Sequence, residues 1–231
     1  MAYTFKQNLV ASSKYSIKCP YSMKPEFVVV HNTANDASAE NEVKYMISNN
    51  NQVSFHFAVD DKGVVQGLPL DRNAWACGDG ANGQGNRKGI QVEICYSKSG
   101  GARFDAAEKN AAKFIAQLLK ERGWGVDKIK KHQDFSGKYC PHRTLDIGWA
   151  SFVNMVKDYL NELNAPATKT FLVQIICDEL NIRQKANFTS KVVGTVKRGE
   201  LYTIVAEENG LGKLKSGAGY ISLNSKYVKR K

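Results

Sequence analysis

Glu26-Phe27-Val28-Val29-Val30-His31 reads as a buried strand, a short β-branched run preceded by Pro25 and stopped by Asn32-Thr33-Ala34-Asn35. Just beyond it, Ser38 predicts the cap of a helix reaching about Ser48, with Val43, Met46 and Ile47 on one face. A second strand is expected over residues 53–59, a turn at Asp60-Asp61-Lys62-Gly63, and a return strand over 64–68. Residues 76–89 are rich in Gly and Asn and predict a long loop of the kind that carries function. Ile90-Gln91-Val92-Glu93-Ile94-Cys95 is another strand, in which Glu93 shares the parity of Gln91 and Cys95. A helix is expected over 106–122, with Asp105 and Glu108 as a capping box and Gly123 as its stop, and a last one over 149–163. Strands alternating with helices predict an α/β domain over residues 1–163. Residues 164–170, Asn-Ala-Pro-Ala-Thr-Lys-Thr, read as a linker. Short strands with Gly-bearing turns over 171–231 then predict a small all-β barrel.

The formal net charge of +11 asks for an anionic partner. Residues 170–231 carry 11 Lys/Arg against 5 Asp/Glu, whereas the other 169 residues carry 22 against 17, so the charge is densest at the C-terminal end. Nucleic acid, anionic lipid and anionic wall polymers all satisfy it. No run approaches the roughly 20 apolar residues of a membrane span, so no membrane insertion is expected. Met1-Ala2-Tyr3-Thr4-Phe5-Lys6-Gln7-Asn8 lacks the basic-then-apolar order of a secretory signal, which predicts a chain made in the cytoplasm. The five cysteines are odd in number and scattered, which argues against a disulfide framework.

Chemistry concentrates in Lys131-His132-Gln133-Asp134-Phe135-Ser136-Gly137-Lys138-Tyr139-Cys140-Pro141-His142. The Ser-Gly between His132 and Cys140 suits a loop that folds an imidazole and a thiolate onto one centre, a pairing that favours Zn²⁺. A third ligand must come from elsewhere, and His31, at the end of a buried strand, is the natural candidate. Three protein ligands with a place left for water make the catalytic arrangement of zinc. Glu93, an acid in an otherwise apolar strand, is the candidate to take a proton from that water. Lys138 is the candidate to set positive charge beside a developing oxyanion. Taken singly each has an ordinary reading: a strand-end histidine, a loop histidine near a buried cysteine, a paired acid, a solvated lysine.

Four segments fall in a shared order: Phe27-Val28-Val29-Val30-His31-Asn32-Thr33-Ala34, Ser54-Phe55-His56-Phe57-Ala58-Val59-Asp60, Gly89-Ile90-Gln91-Val92-Glu93-Ile94-Cys95, and His132-Gln133-Asp134 with Lys138-Tyr139-Cys140-Pro141-His142. In these, residues 20–160 resemble the type 2 N-acetylmuramoyl-L-alanine amidases, a family that includes phage endolysins and is related to peptidoglycan recognition proteins. The resemblance implies a central mixed β-sheet flanked by helices and zinc held by His31, His132 and Cys140. It also implies catalytic roles for Glu93 and Lys138, and hydrolysis of the amide between N-acetylmuramic acid and L-alanine. Relatives often carry Tyr where this chain has Phe55, which shifts weight onto Glu93. His56 and His142 are candidate substrate contacts. In Leu180-Asn181-Ile182-Arg183, Val192-Val193-Gly194-Thr195-Val196, Gly199-Glu200-Leu201-Tyr202 and Gly219-Tyr220-Ile221-Ser222, residues 171–231 resemble bacterial SH3-like wall-binding domains.

The expectation is therefore a zinc amidase of the endolysin type, acting on peptidoglycan after release from the host cytoplasm, with anionic wall polymers as further partners. A non-catalytic recognition protein on the same scaffold is the alternative, and the presence of Cys140 weighs against it. A bacterial autolysin has the same chemistry. Nucleic acid is not expected as a partner, since no aromatic-rich basic motif accompanies the charge.

Overall fold

The computed structural model describes residues 3–165 and 170–231 and divides into two compact units, residues 1–165 and 166–231. The first unit contains, in order, β1 (Thr4–Gln7), α1 (Tyr15–Lys18), β2 (Phe27–Asn32), α2 (Ala39–Ser48), β3 (Phe57–Val59), β4 (Gly63–Gln66), α3 (Gln84–Lys88) and β5 (Gly89–Ile94). There follow α4 (Gly101–Arg122), β6 (Ile129–Lys131), α5 (Gln133–Ser136), α6 (His142–Ile147) and α7 (Trp149–Asn164).

The six strands form one sheet in the order β1-β4-β3-β5-β2-β6. β2 lies between β5 and β6 and is parallel to both, with Val28 opposite Ile90 and Ile129, and His31 opposite Glu93. Only the β3–β4 pair is antiparallel, so the sheet is mixed and its centre parallel. Parallel strands covered on both faces favour continuous apolar runs, which the valines of β2 supply, whereas β5 turns Ile90, Val92 and Ile94 to one face and Gln91 and Glu93 to the other. On α4, Phe104, Ala107, Ala111, Ile115 and Leu118 are buried, and α7, which packs against α4, buries Phe152, Val156 and Leu160, four residues apart on one face. Ser38 Oγ accepts the Asn41 N–H and caps α2, and Gly123, in the left-handed region at φ 64°, ends α4.

Several elements differ from the sequence expectation. α4 begins at Gly101, not Ala106, so Asp105 and Glu108 lie inside the helix and form no capping box. Gly100, at φ 70°, makes the turn into it, and the place of its absent Cβ is filled by the Arg143 guanidinium. The strand expected over 53–59 is regular only from Phe57, because Ser54 turns aside: its N–H bonds the Trp75 carbonyl, and its hydroxyl donates to Lys18 O and accepts from Trp75 N–H. The loop over 76–89 contains α3, whose first turn is held by Asp79, a carboxylate accepting the Gly85 and Asn86 N–H groups at 2.7 and 3.2 Å. β1, β6 and α6 had no sequence expectation. Asn164 closes α7, and Pro166, Ala167, Thr168 and Lys169 of the expected linker lie outside the described residues.

The second unit comprises β7 (Phe171–Ile175), β8 (Glu179–Arg183), β9 (Val192–Lys197), β10 (Leu201–Glu208), β11 (Leu211–Leu214), β12 (Tyr220–Ser222) and β13 (Val228–Arg230). Every pair in its sheet, ordered β13-β7-β10-β11-β12-β8-β9, is antiparallel. The β10–β11 turn is Asn209-Gly210, both at positive φ, the two-residue hairpin that matches strand twist. Val196 of one edge strand and Val228 of the other share a core with Val173, Ile175, Ile204 and Ile221, so the sheet curls around one interior. Among the described residues no helix is long and apolar enough to cross a membrane, and the five cysteines are free.

Candidate metal centre and its cleft

His31 stands near the end of β2, buried at 1% exposure. His132 follows the last residue of β6, and Cys140 comes back to it after α5 and a turn at Gly137, whose φ of 75° suits glycine. Cys140 O accepts the Gln133 N–H at 3.0 Å, which closes that loop. One ligand atom each from His31, His132 and Cys140 lies within 4.8 Å of the other two, and all three residues are buried. The Nδ1 atoms of the two imidazoles are 3.1 Å apart. Zinc–nitrogen bonds of about 2.0–2.1 Å in tetrahedral geometry separate two nitrogens by about 3.3–3.4 Å, so the pair fits the edge of a coordination sphere. Two imidazoles and a thiol are also the donor chemistry that zinc prefers.

The electrostatics suit a cation. Burial, with His132 next, pushes His31 down to about 3, and burial followed by the Lys138 charge lowers His132, so both rings are neutral with lone pairs to give. Burial, then Glu93, raises the Cys140 thiol to about 11. A cation held there would have to displace the thiol proton of Cys140. Asn32, next to His31, fixes the segment beyond Cys140: its Oδ1 accepts the Arg143 and Thr144 N–H groups at 2.9 and 3.2 Å, capping the otherwise uncapped α6.

Glu93 and Lys138 line the same cleft of about 750 Å³ as the three ligand residues, together with Val53, Phe55, Trp75 and Asn86. Glu93 is half-buried, and its Oε2 is buried with no hydrogen-bond partner. Burial, then the Glu42 carboxylate, raises its carboxyl to about 8, with the Lys138 ammonium pulling the other way. Lys138 is exposed. The structure thus brings together all five residues singled out from the sequence.

The two other histidines do not line the cleft. His56 is buried, accepts the Gln91 backbone N–H at 2.9 Å and bonds Arg72 O at 2.9 Å; His142 reaches Ser97 O at 3.4 Å. Besides Asn32, sequence reasoning missed three residues that shape the site. Gln91 bonds His31 at 2.8 Å. Asn86 accepts the Ala76 and Cys77 N–H groups and folds the loop beside the cleft. The buried Lys18 ammonium donates to Asn49 Oδ1, Asn51 O and Val53 O, holding the segment that carries Val53 at the rim. Only Gln91 left a trace, as a polar residue on the strand face of Glu93.

The family model described as N-acetylmuramoyl-L-alanine amidase matches residues 21–143. N-acetylmuramoyl-L-alanine amidase CwlA of Bacillus subtilis (strain 168) is 61% identical over 164 residues, covering 71% of this chain and 60% of the relative. The chain thus spans less than two thirds of that relative's length. Among solved structures, PlyL superposes with a TM-score of 0.65 at 57% identity, covering 67% of this chain and 97% of the other. A mutant endolysin from Bacillus subtilis has a TM-score of 0.61 at 37% identity, covering 67% and 99%.

Proposed function

The chain belongs to the N-acetylmuramoyl-L-alanine amidase family, and from that premise we propose that it hydrolyses the amide between the muramoyl lactyl group and L-alanine in bacterial peptidoglycan. The convergence of His31, His132 and Cys140 beside Glu93 carries the reading. The three ligand residues would hold Zn²⁺, which when bound supplies a Lewis acid for the carbonyl and an acidified water. Glu93, a carboxyl raised toward neutrality, takes the proton of the attacking water and returns it to the departing L-alanine nitrogen. Lys138 sets its ammonium beside the oxygen on which negative charge develops. With all three donor atoms converged, hydrolysis is favoured over recognition alone.

The second unit is proposed to be an SH3-like domain that holds the enzyme on the wall. Its excess of Lys/Arg suits anionic wall polymers, and it carries a groove of about 330 Å³ lined by Glu179, Asn181, Arg183, Phe188 and Tyr227, a mixture of both charges and aromatic surface suited to a peptide stem. Tethering raises the catalytic unit's local concentration at its substrate. Likeness to an endolysin structure supports a lytic role exercised on the wall.

Digestion of purified walls tests the reading. New free amino ends and fragments beginning with L-alanine are expected by mass spectrometry, abolished by a chelator and restored by zinc. Fragments that keep the lactyl–alanine bond intact would refute it.

A further inference from the structure

Gln91 lies in the centre of β5 with no exposed surface, and every polar atom of its side chain is engaged. Its Nε2 donates to two carbonyl oxygens, Gly85 O at 2.6 Å and Gly89 O at 3.0 Å. An amide nitrogen has two hydrogens, so both are spent, and the orientation of the carboxamide is decided by acceptors that cannot donate. Its Oε1 therefore faces the other way, toward His31 Nε2 at 2.8 Å and the Cys77 thiol at 3.2 Å. An oxygen acceptor requires a donor opposite it, so His31 Nε2 must carry its hydrogen. The second ring nitrogen, Nδ1, is then a bare lone pair, and it is the atom that points at His132.

We infer that Gln91 is a positioning residue for the metal centre: by presenting Oε1 to His31 it fixes the Nε2–H tautomer and the ring plane, leaving Nδ1 to bind the cation. The inference rests on the zinc reading of the site. Gln91 is held in turn by its own backbone, whose N–H is accepted by His56 Nδ1 at 2.9 Å while His56 Nε2 bonds Arg72 O. Gly85 lies in the first turn of α3 and Gly89 directly follows its last residue, so the helix beside the cleft is tied through one side chain to the ligand. A polar partner on the outer nitrogen of a ligating imidazole is worth about 10–100-fold in metal affinity where it has been removed elsewhere.

Two measurements on the whole 231-residue chain test it. In metal-free wild type near neutral pH, ring proton–nitrogen correlation NMR of His31 is expected to show a protonated Nε2 and a bare Nδ1; a protonated Nδ1 overturns the inference. Zinc titration against a competing chromophoric chelator is expected to show Gln91→Leu weakened about 10–100-fold. Gln91→Glu, which keeps an acceptor toward Nε2, retains the tautomer and loses less affinity. A folded Gln91→Leu with wild-type zinc affinity and an unchanged His31 tautomer also overturns it. If Gln91→Leu fails to fold, the wild-type ring assignment decides alone. A wild-type chain that shows the Nε2–H tautomer and yet binds no zinc removes the metal reading, not the tautomer assignment.

Discussion

Glu93 occupies a position where ionising is costly, and its removal has two separable consequences. Glu93→Gln is expected to keep zinc at one per chain while turnover on walls falls roughly 10²–10⁴-fold, the range of a lost general acid–base; metal analysis and amine release measured together check both halves. In the metal-free protein the folded carboxyl titrates at about 8 against an ordinary 4.5, so between those values the folded chain holds a proton that the unfolded chain has shed. Its contribution is thus intact below 4.5 and lost as pH rises toward about 8. Urea midpoints measured in chelator across that window are expected to fall with pH in wild type and to fall less in Glu93→Gln. His56 acts with the opposite sign: burial depresses it to about 4, so stability is lost as pH drops from about 6.5 through that value. His31, His132, Cys140, Glu93 and Lys138 each had an ordinary reading taken singly, and it was the shared order of four sequence segments that singled them out together. Gln91 and Asn32 were not legible. Their roles come from atoms supplied by distant segments, and no spacing encodes that.

Lys18 ends a four-residue helix, yet its ammonium is buried among three oxygens with no carboxylate. Lys18→Met is expected to leave those acceptors without a donor and to cost on the order of 1–3 kcal/mol in chemical denaturation. Because the segment it holds carries Val53 at the cleft rim, KM for wall fragments should rise more than kcat falls; a unchanged KM would show that the rim does not touch substrate. Ser38→Ala removes the cap of α2 and should cost about 1 kcal/mol, read as a lower Tm. At this scale the apolar periodicities gave the long helices and the central strands correctly. They failed where side chains compete with the backbone, as Ser54 does, or where a remote group decides a turn, as Arg143 does at Gly100. Helix α3 escaped notice because its five residues are held by Asp79 and not by an apolar face.

The two units divide the work between cutting and holding, in the reading proposed above. A chain ended after residue 165 is expected to cleave soluble muramoyl peptides as the full chain does but to sediment poorly with purified walls. Its residual wall binding should also respond less to added salt, since screening acts chiefly on the basic second unit. Equal sedimentation of both chains would deny the second unit its anchoring role. The charge asymmetry behind this prediction was plain in the sequence, and so was the change from mixed to all-β patterning near residue 165. The closing of the second sheet around one core was expected there as a small barrel, whereas the strand order, and with it which strands become edges, was not legible.

His31 and His132 are separated by 101 positions, and β2 cannot be completed as a central strand until β6 lies beside it. Ribosomes therefore deliver the first donor long before the second and third. A nascent or prematurely terminated chain that stops short of Cys140 has at most part of the donor set, and nothing from α6 for Asn32 to cap. In the reading proposed above, an unfinished copy is therefore unable to cut, by the order in which the polypeptide emerges.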